Sequence, residues 1–150
     1  VGFELSPPSL HQLGLSPALR WLVESLHARY GIAIEFDDGG YSRPMDEPRR
    51  VVVFRAIREL LINAAKHSGA SQVRLTLRET KDGLLVSVED EGVGMIENSV
   101  GRVGTGLLSI RERLAHVGGT LRIRSAPGHG TSIELEAPCS DDAREGTENP

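Results

Sequence analysis

The chain has 150 residues, 39% apolar and 25% charged, enough to fill the core of one globular domain. Its formal net charge of −4, without a Lys/Arg run, leaves no electrostatic footprint for nucleic acid or for an anionic membrane surface. No apolar run reaches the length of a membrane span, no signal peptide is legible, and the single cysteine, Cys139, excludes an internal disulfide framework or a cysteine-built metal site.

A cytoplasmic domain is the natural reading, and the start at Val1 in mid-pattern suggests a piece of a longer protein. Val1 to Leu15 is punctuated by Pro7 and Pro8 and reads as a connector or the frayed end of a preceding helix. "SPALRWLVESLHARYG" then predicts a helix with Ser16 as N-cap and Pro17 in the first turn. Leu19, Leu22, Val23, Leu26 and Tyr30 form its apolar face, and Gly31 stops it. "IAIEF" is a short strand, followed by a Gly/Pro-rich loop to Met45. Asp46 and Pro48 open a long helix ending near Ser68.

"QVRLTLRE" and "LLVSVED" alternate with period two around "KDG", as a hairpin does. A glycine-rich loop is expected from Gly92 to Gly104. "TGLLSIRERLAHVGG" is the last helix, closed by Gly118-Gly119, and "TLRIRSA" and "TSIELEA" form a second hairpin across "PGHG". The tail from Cys139 to Pro150 is polar and aperiodic, and disorder is expected there. The pattern gives an α+β domain over residues 16–138, a two-layer sandwich of about five strands with helices on one face.

Three stretches carry chemistry. On "RELLINAAKHSG" the helical period puts Val53, Ile57, Leu60, Leu61 and Ala64 on one broad face, with Glu59, Asn63, Lys66 and His67 on the adjacent stripe. Asn is a mediocre helix former, so packing alone does not explain Asn63. Its amide oxygen suits a Mg²⁺ held mainly by phosphates and water, and Lys66 supplies a point charge for a phosphate. In "VEDEGVGM", Asp90 ends a buried-type strand before Gly92 and Gly94. An acceptor there favours adenine, which offers an amine where guanine offers a carbonyl. "GRVGTGLL" sets Gly101, Gly104 and Gly106 just ahead of a helix, where free N–H groups form an anion site. Arg102 in that loop is either a phosphate partner or solvated. Metal ligand, base reader and phosphate loop follow in an order that covers the three parts of Mg-ATP.

These residues resemble the ATP-binding domain of two-component sensor histidine kinases, within the gyrase, Hsp90, histidine kinase and MutL superfamily. "ELLINAAKHSGAS" looks like its N box, "DEGVGM" its G1 box, and "GTGLLSIRERLAHVGG" its G2 box. "KHSGAS" and the G2 stretch suggest the nitrate-sensor-like subfamily, and "LSPPSLHQLGLSPALRWLVE" is similar to the way that subfamily leaves its dimerisation helices.

The resemblance implies a Bergerat-type α/β sandwich with a mixed sheet, binding ATP and Mg²⁺. Asn63 would hold the metal, with Glu59 near the attacking group and Lys66 and His67 near the phosphates. Asp90 would hold the adenine amine with help from Thr131, beside Gly92, Gly94 and Met95. Gly104 and Gly106 would close the lid end over the phosphates, with Arg102, Thr105 and Leu107 also at the nucleotide. The family's phosphoacceptor histidine is directly followed by an acidic residue. His11, His27, His67, His116 and His129 all lack one. The resemblance therefore places the acceptor on a separate dimerisation domain, with a response regulator downstream, and no autophosphorylation by this chain alone. Only "IENSVGRV" separates Met95 from Gly104, so a short, mobile lid and weak binding are expected. Rival readings are an anti-sigma-factor-type serine kinase, a hydrolytic ATPase with Glu59 as general base, and a non-catalytic module.

Overall fold

The computed structural model describes residues 14–67, 72–90, 100–125 and 130–140. Helix α1 (Leu15–Tyr30) forms where Leu15, Leu19, Leu22 and Leu26 recur at three- and four-residue spacing, and all four are buried together with Ala18. It ends at Gly31, whose φ of 72° is the left-handed conformation of a helix cap and whose N–H donates to the His27 carbonyl at 2.8 Å. Its start differs from the sequence expectation. Gly14 is the N-cap, without a side-chain capping bond, and Ser16 lies inside the helix with its hydroxyl buried. Burial of Leu15 draws one more residue into the helix than the Ser-Pro signal implies. Tyr30 also leaves the expected apolar face. It is exposed beside the Arg29 guanidinium, 5.8 Å from the ring centre.

Strand β1 (Ala33–Asp37) leads into a loop turned at Gly39 and Gly40, with φ of 58° and 74°. Asp37 and Asp38 accept the N–H groups of these two glycines, each at 2.9 Å. Tyr41 anchors the far end of the loop, its hydroxyl 3.2 Å from Cys139 Sγ, and both residues are buried. Cys139, grouped with the polar tail on its sequence, is thus part of the core. Its carbonyl accepts the Asp46 N–H at 2.9 Å.

Helix α2 (Glu47–His67) starts as its sequence predicts. Asp46 Oδ1 accepts the Arg49 N–H at 3.2 Å, and Pro48 stands where an N–H would lack a helical partner. Val53, Ile57, Leu60, Leu61 and Ala64 are all buried, joined by Phe54.

Strands β2 (Gln72–Glu79) and β3 (Gly83–Asp90) form the first hairpin, and β4 (Thr120–Ser125) and β5 (Thr131–Pro138) the second. The order across the sheet is β1-β2-β3-β5-β4, with β1 and β2 parallel and the other pairs antiparallel. Gly83 opens β3 where a side chain would collide with the Ala137 backbone. Along β3 and β5 burial alternates. Leu84, Val86 and Val88 face the helices opposite Ala137, Leu135 and Ile133, while Ser87, Glu89 and Glu134 face away.

Helix α3 (Val100–His116) begins earlier than expected. The apolar pattern Val100, Val103, Leu107, Ile110, Leu114 keeps helical spacing through the glycines, which weaken a helix without forbidding it. Gly101, Gly104 and Gly106 therefore stand in its first two turns, not in a loop before it. Leu107, Ile110 and Leu114 are buried, and the turn at Gly118 and Gly119 closes it with bonds to Leu114 and Ala115. Across one face of the sheet α1 packs on β1, α2 lies on β3 and β5, and α3 packs on β4 and against α2. The expected two-layer sandwich is what the chain builds.

Candidate functional site

Asp90 is the last residue of β3 and Thr131 the first of β5, and they are partners in register. Directly opposed residues of an antiparallel pair have Cβ atoms roughly 5 Å apart. Both continue the inward series of their strands, so both side chains point into the helical layer at the end of the apolar core. Asp90 is 7% exposed and Thr131 3%. Val73 flanks Asp90 on its other side. A buried carboxylate is costly unless polar groups meet it, which makes Asp90 a polar exception at the edge of an apolar core.

The direction of α2 decides what stands above them. The helix starts at the C-terminal end of β5, where Asp46 bonds Cys139, and runs back across β5 and β3. From that contact, Asn63 lies about 26 Å along the helix and Thr131 about 26 Å along its strand, at the usual rises per residue. Asn63 and Glu59 are half-buried and Lys66 is exposed, a gradient running from the core edge to solvent along the stripe that the sequence singled out. Among the described residues no group of three His, Cys, Asp or Glu side chains forms a metal cage. A single amide oxygen, as on Asn63, fits a hard cation whose other ligands are phosphates and water.

One member of this stripe is held by a residue that sequence reasoning missed. Arg113 of α3 donates from Nη2 to Glu59 Oε2 at 3.2 Å and to Ser109 Oγ at 2.9 Å. The signal was present only as Ser109 and Arg113 at i, i+4 on the polar face of α3, which does not announce a partner on another helix. The helix start brings a further correction. The free N–H groups of α3 belong to Val100 through Val103, so Arg102 lies in the turn that offers donors and Gly104, Thr105 and Gly106 lie just behind it. Leu107 faces the core. The sequence candidates Gly92, Gly94 and Met95, and the side chains of His67, Arg102 and Thr105, lie outside the described residues.

Residues 49–141 match the family of histidine kinase-, DNA gyrase B- and HSP90-like ATPases. The chain belongs to this family. Among curated relatives, the oxygen sensor histidine kinase NreB of Staphylococcus carnosus is 32% identical, over 94% of this chain and 41% of the relative. The signal transduction histidine-protein kinase/phosphatase DegS of Brevibacillus brevis is 31% identical, over 91% of this chain and 35% of its own length. The chain thus spans less than half of these relatives. Its fold is that of the histidine kinase domain from the blue-light activated histidine kinase of Erythrobacter litoralis EL346, with a TM-score of 0.71 at 21% identity, over 87% of this chain and 63% of that one. As a member of this ATPase family the chain takes ATP as its nucleotide. Among the described residues no helix is long and apolar enough to cross a membrane.

Proposed function

We propose that the chain is the ATP-binding catalytic domain of a two-component sensor histidine kinase, acting in the cytoplasm on a histidine carried by a separate dimerisation domain. The observation that carries this reading is the buried Asp90–Thr131 pair where β3 ends and β5 begins, with Asn63 on the helix that packs on both strands. Residues 16–138 are read as the catalytic domain and residues 1–15 as its connector to the acceptor.

Phosphoryl transfer asks a protein mainly for positioning and charge neutralisation. Asp90 Oδ accepts from the adenine amine, with Thr131 beside it, and Gly92, Gly94 and Met95 flank the ring. Mg²⁺ would be held by Asn63 together with the phosphates, and its chemistry is to neutralise charge that builds on the phosphate oxygens. Lys66, which is exposed, and His67 add donors for the phosphates. Arg102 in the first turn of α3, with Gly104, Thr105, Gly106 and Leu107 behind it, closes the phosphate side. Glu59, held by Arg113, orients the approach of the attacking group. The transferred group then passes to an aspartate on a response regulator.

The test adds the chain to a dimerisation domain bearing the acceptor histidine, with radiolabelled Mg-ATP. Acid-labile, base-stable label on that domain, lost with Asn63→Ala, supports the reading. Acid-stable label on an added protein serine would replace it with a serine kinase. Steady turnover by the chain alone, abolished by Glu59→Gln, would replace it with a hydrolytic ATPase.

A further inference from the structure

The end of the domain opposite Asp90 and Thr131 holds a cavity of about 440 Å³, walled by the start of α1 and by the loop before α2. Arg43 and Arg50 both line it, together with Gly14, Ser16 and Tyr41. Arg43 Nη1 donates only to backbone carbonyls, those of Thr80 at 3.3 Å and Lys81 at 3.1 Å. Arg50 Nη1 donates to the Met45 carbonyl at 2.8 Å, while its Nε is buried without a partner. Ser16 Oγ, in the same wall, is also buried without a partner. Asp46, next to this loop, commits its carboxylate to Arg49 at 2.6 Å. Among the described residues neither Arg43 nor Arg50 has a carboxylate within ion-pair distance.

These two arginines stand without a carboxylate in a chain that carries more acidic than basic residues. A guanidinium offers five donors in a fixed fork that matches the oxygens of a phosphate or carboxylate. Two forks at one concave wall, each with donors to spare, specify a ligand with several acceptor oxygens. The α1 start adds to what the arginines carry. Its cap, Gly14, supplies no side chain to the free N–H groups of Leu15 and Ser16, so they too face the cavity end of the helix.

We propose that this cavity is a second binding site, separate from the nucleotide site, for a compact, doubly charged oxyanion, a phosphate group above all. The same chemistry is available from a free phosphate and from the neighbouring carboxylates of Asp141 and Asp142, which follow Ser140 in the sequence.

The experiment is a titration of the full ¹⁵N-labelled chain with inorganic phosphate at constant ionic strength, made up with chloride, following the arginine Nε–H resonances. Saturable shifts of the Arg43 and Arg50 signals are expected. Arg43→Gln, which removes a guanidinium bonded only to a surface turn, should weaken binding about tenfold, while Lys66→Ala, where the nucleotide phosphates are placed, leaves it unchanged. With Asp141→Asn/Asp142→Asn, unchanged affinity identifies free phosphate as the occupant, and tighter binding identifies the chain's own carboxylates as competitors for the same donors. No saturable shift would overturn the proposal. So would a saturable shift that survives Arg43→Gln, or one lost with Lys66→Ala, and neither outcome depends on the kinase reading.

Discussion

Asp90 and Thr131 oppose each other across β3 and β5, both buried and both facing the helical layer at the end of the core. Neither alone would define a base pocket, but a carboxylate and a hydroxyl side by side present two polar groups to one edge of a flat ring. Thr131→Val keeps the shape and removes the hydroxyl. It should weaken ATP binding by about 1 kcal/mol, roughly fivefold, with the fold intact. Calorimetric titration with ATP checks this.

Asn63 should govern the metal dependence of binding. In Asn63→Ala, adding Mg²⁺ should no longer tighten ATP binding, and the affinity should equal that of the unaltered chain in EDTA. Lys66 is exposed, so Lys66→Ala should cost less and lose most of its effect at high salt. Parallel titrations with and without Mg²⁺ distinguish the two roles.

Much of this was legible from residue order because each element satisfies a local rule. Alternation fixed the hairpins and the inward series that ends in Asp90. The three-and-four spacing fixed the buried face of α2, and Gly31 and Gly118-Gly119 marked the helix ends. The failures also have local causes. Ser16 and Pro17 form a good start signal, but burying Leu15 outweighed it. The glycines before Thr105 read as a loop because each weakens a helix, yet the apolar period through Val100 and Val103 continues across them. Arg113 could not be assigned to Glu59, nor Arg49 to the core, because both contacts join elements far apart in sequence. Cys139 looked like tail because its partners, Tyr41 and Asp46, lie on a loop with no periodicity.

Arg49 is the clearest structural contact that the sequence concealed. It is 6% exposed, with Nη1 2.6 Å from Asp46 Oδ2 and Nε 3.0 Å from the Val117 carbonyl, so it ties the start of α2 to the turn after α3. Arg49→Met fills the space but leaves that carbonyl unsatisfied. A loss of about 2–3 kcal/mol is expected in urea unfolding. By contrast, Arg113→Ala breaks an ion pair whose partners are 49% and 37% exposed, and should cost less than about 1 kcal/mol.

Burial, reinforced by its contact with Cys139 Sγ, holds the Tyr41 hydroxyl protonated well above the ordinary phenol range. In the unfolded chain the same group releases its proton near pH ~10. The stabilisation is therefore complete below that pH and declines as pH rises above it, since only the unfolded state gains by ionising. Urea unfolding between pH 8 and 11 should show the unaltered chain losing stability faster than Tyr41→Phe. The variant starts lower by about 1 kcal/mol, for the lost hydrogen bond.

The most direct measurement is calorimetric titration of the chain and of Asp90→Ala with ATP and GTP in the presence of Mg²⁺. The chain should bind ATP and ignore GTP, and loss of the Asp90 acceptor should weaken ATP binding by about 1–3 kcal/mol, roughly ten- to a hundredfold. Equal binding of both nucleotides, or ATP affinity untouched by Asp90→Ala in a folded variant, would contradict the placement of the base at the Asp90–Thr131 pair.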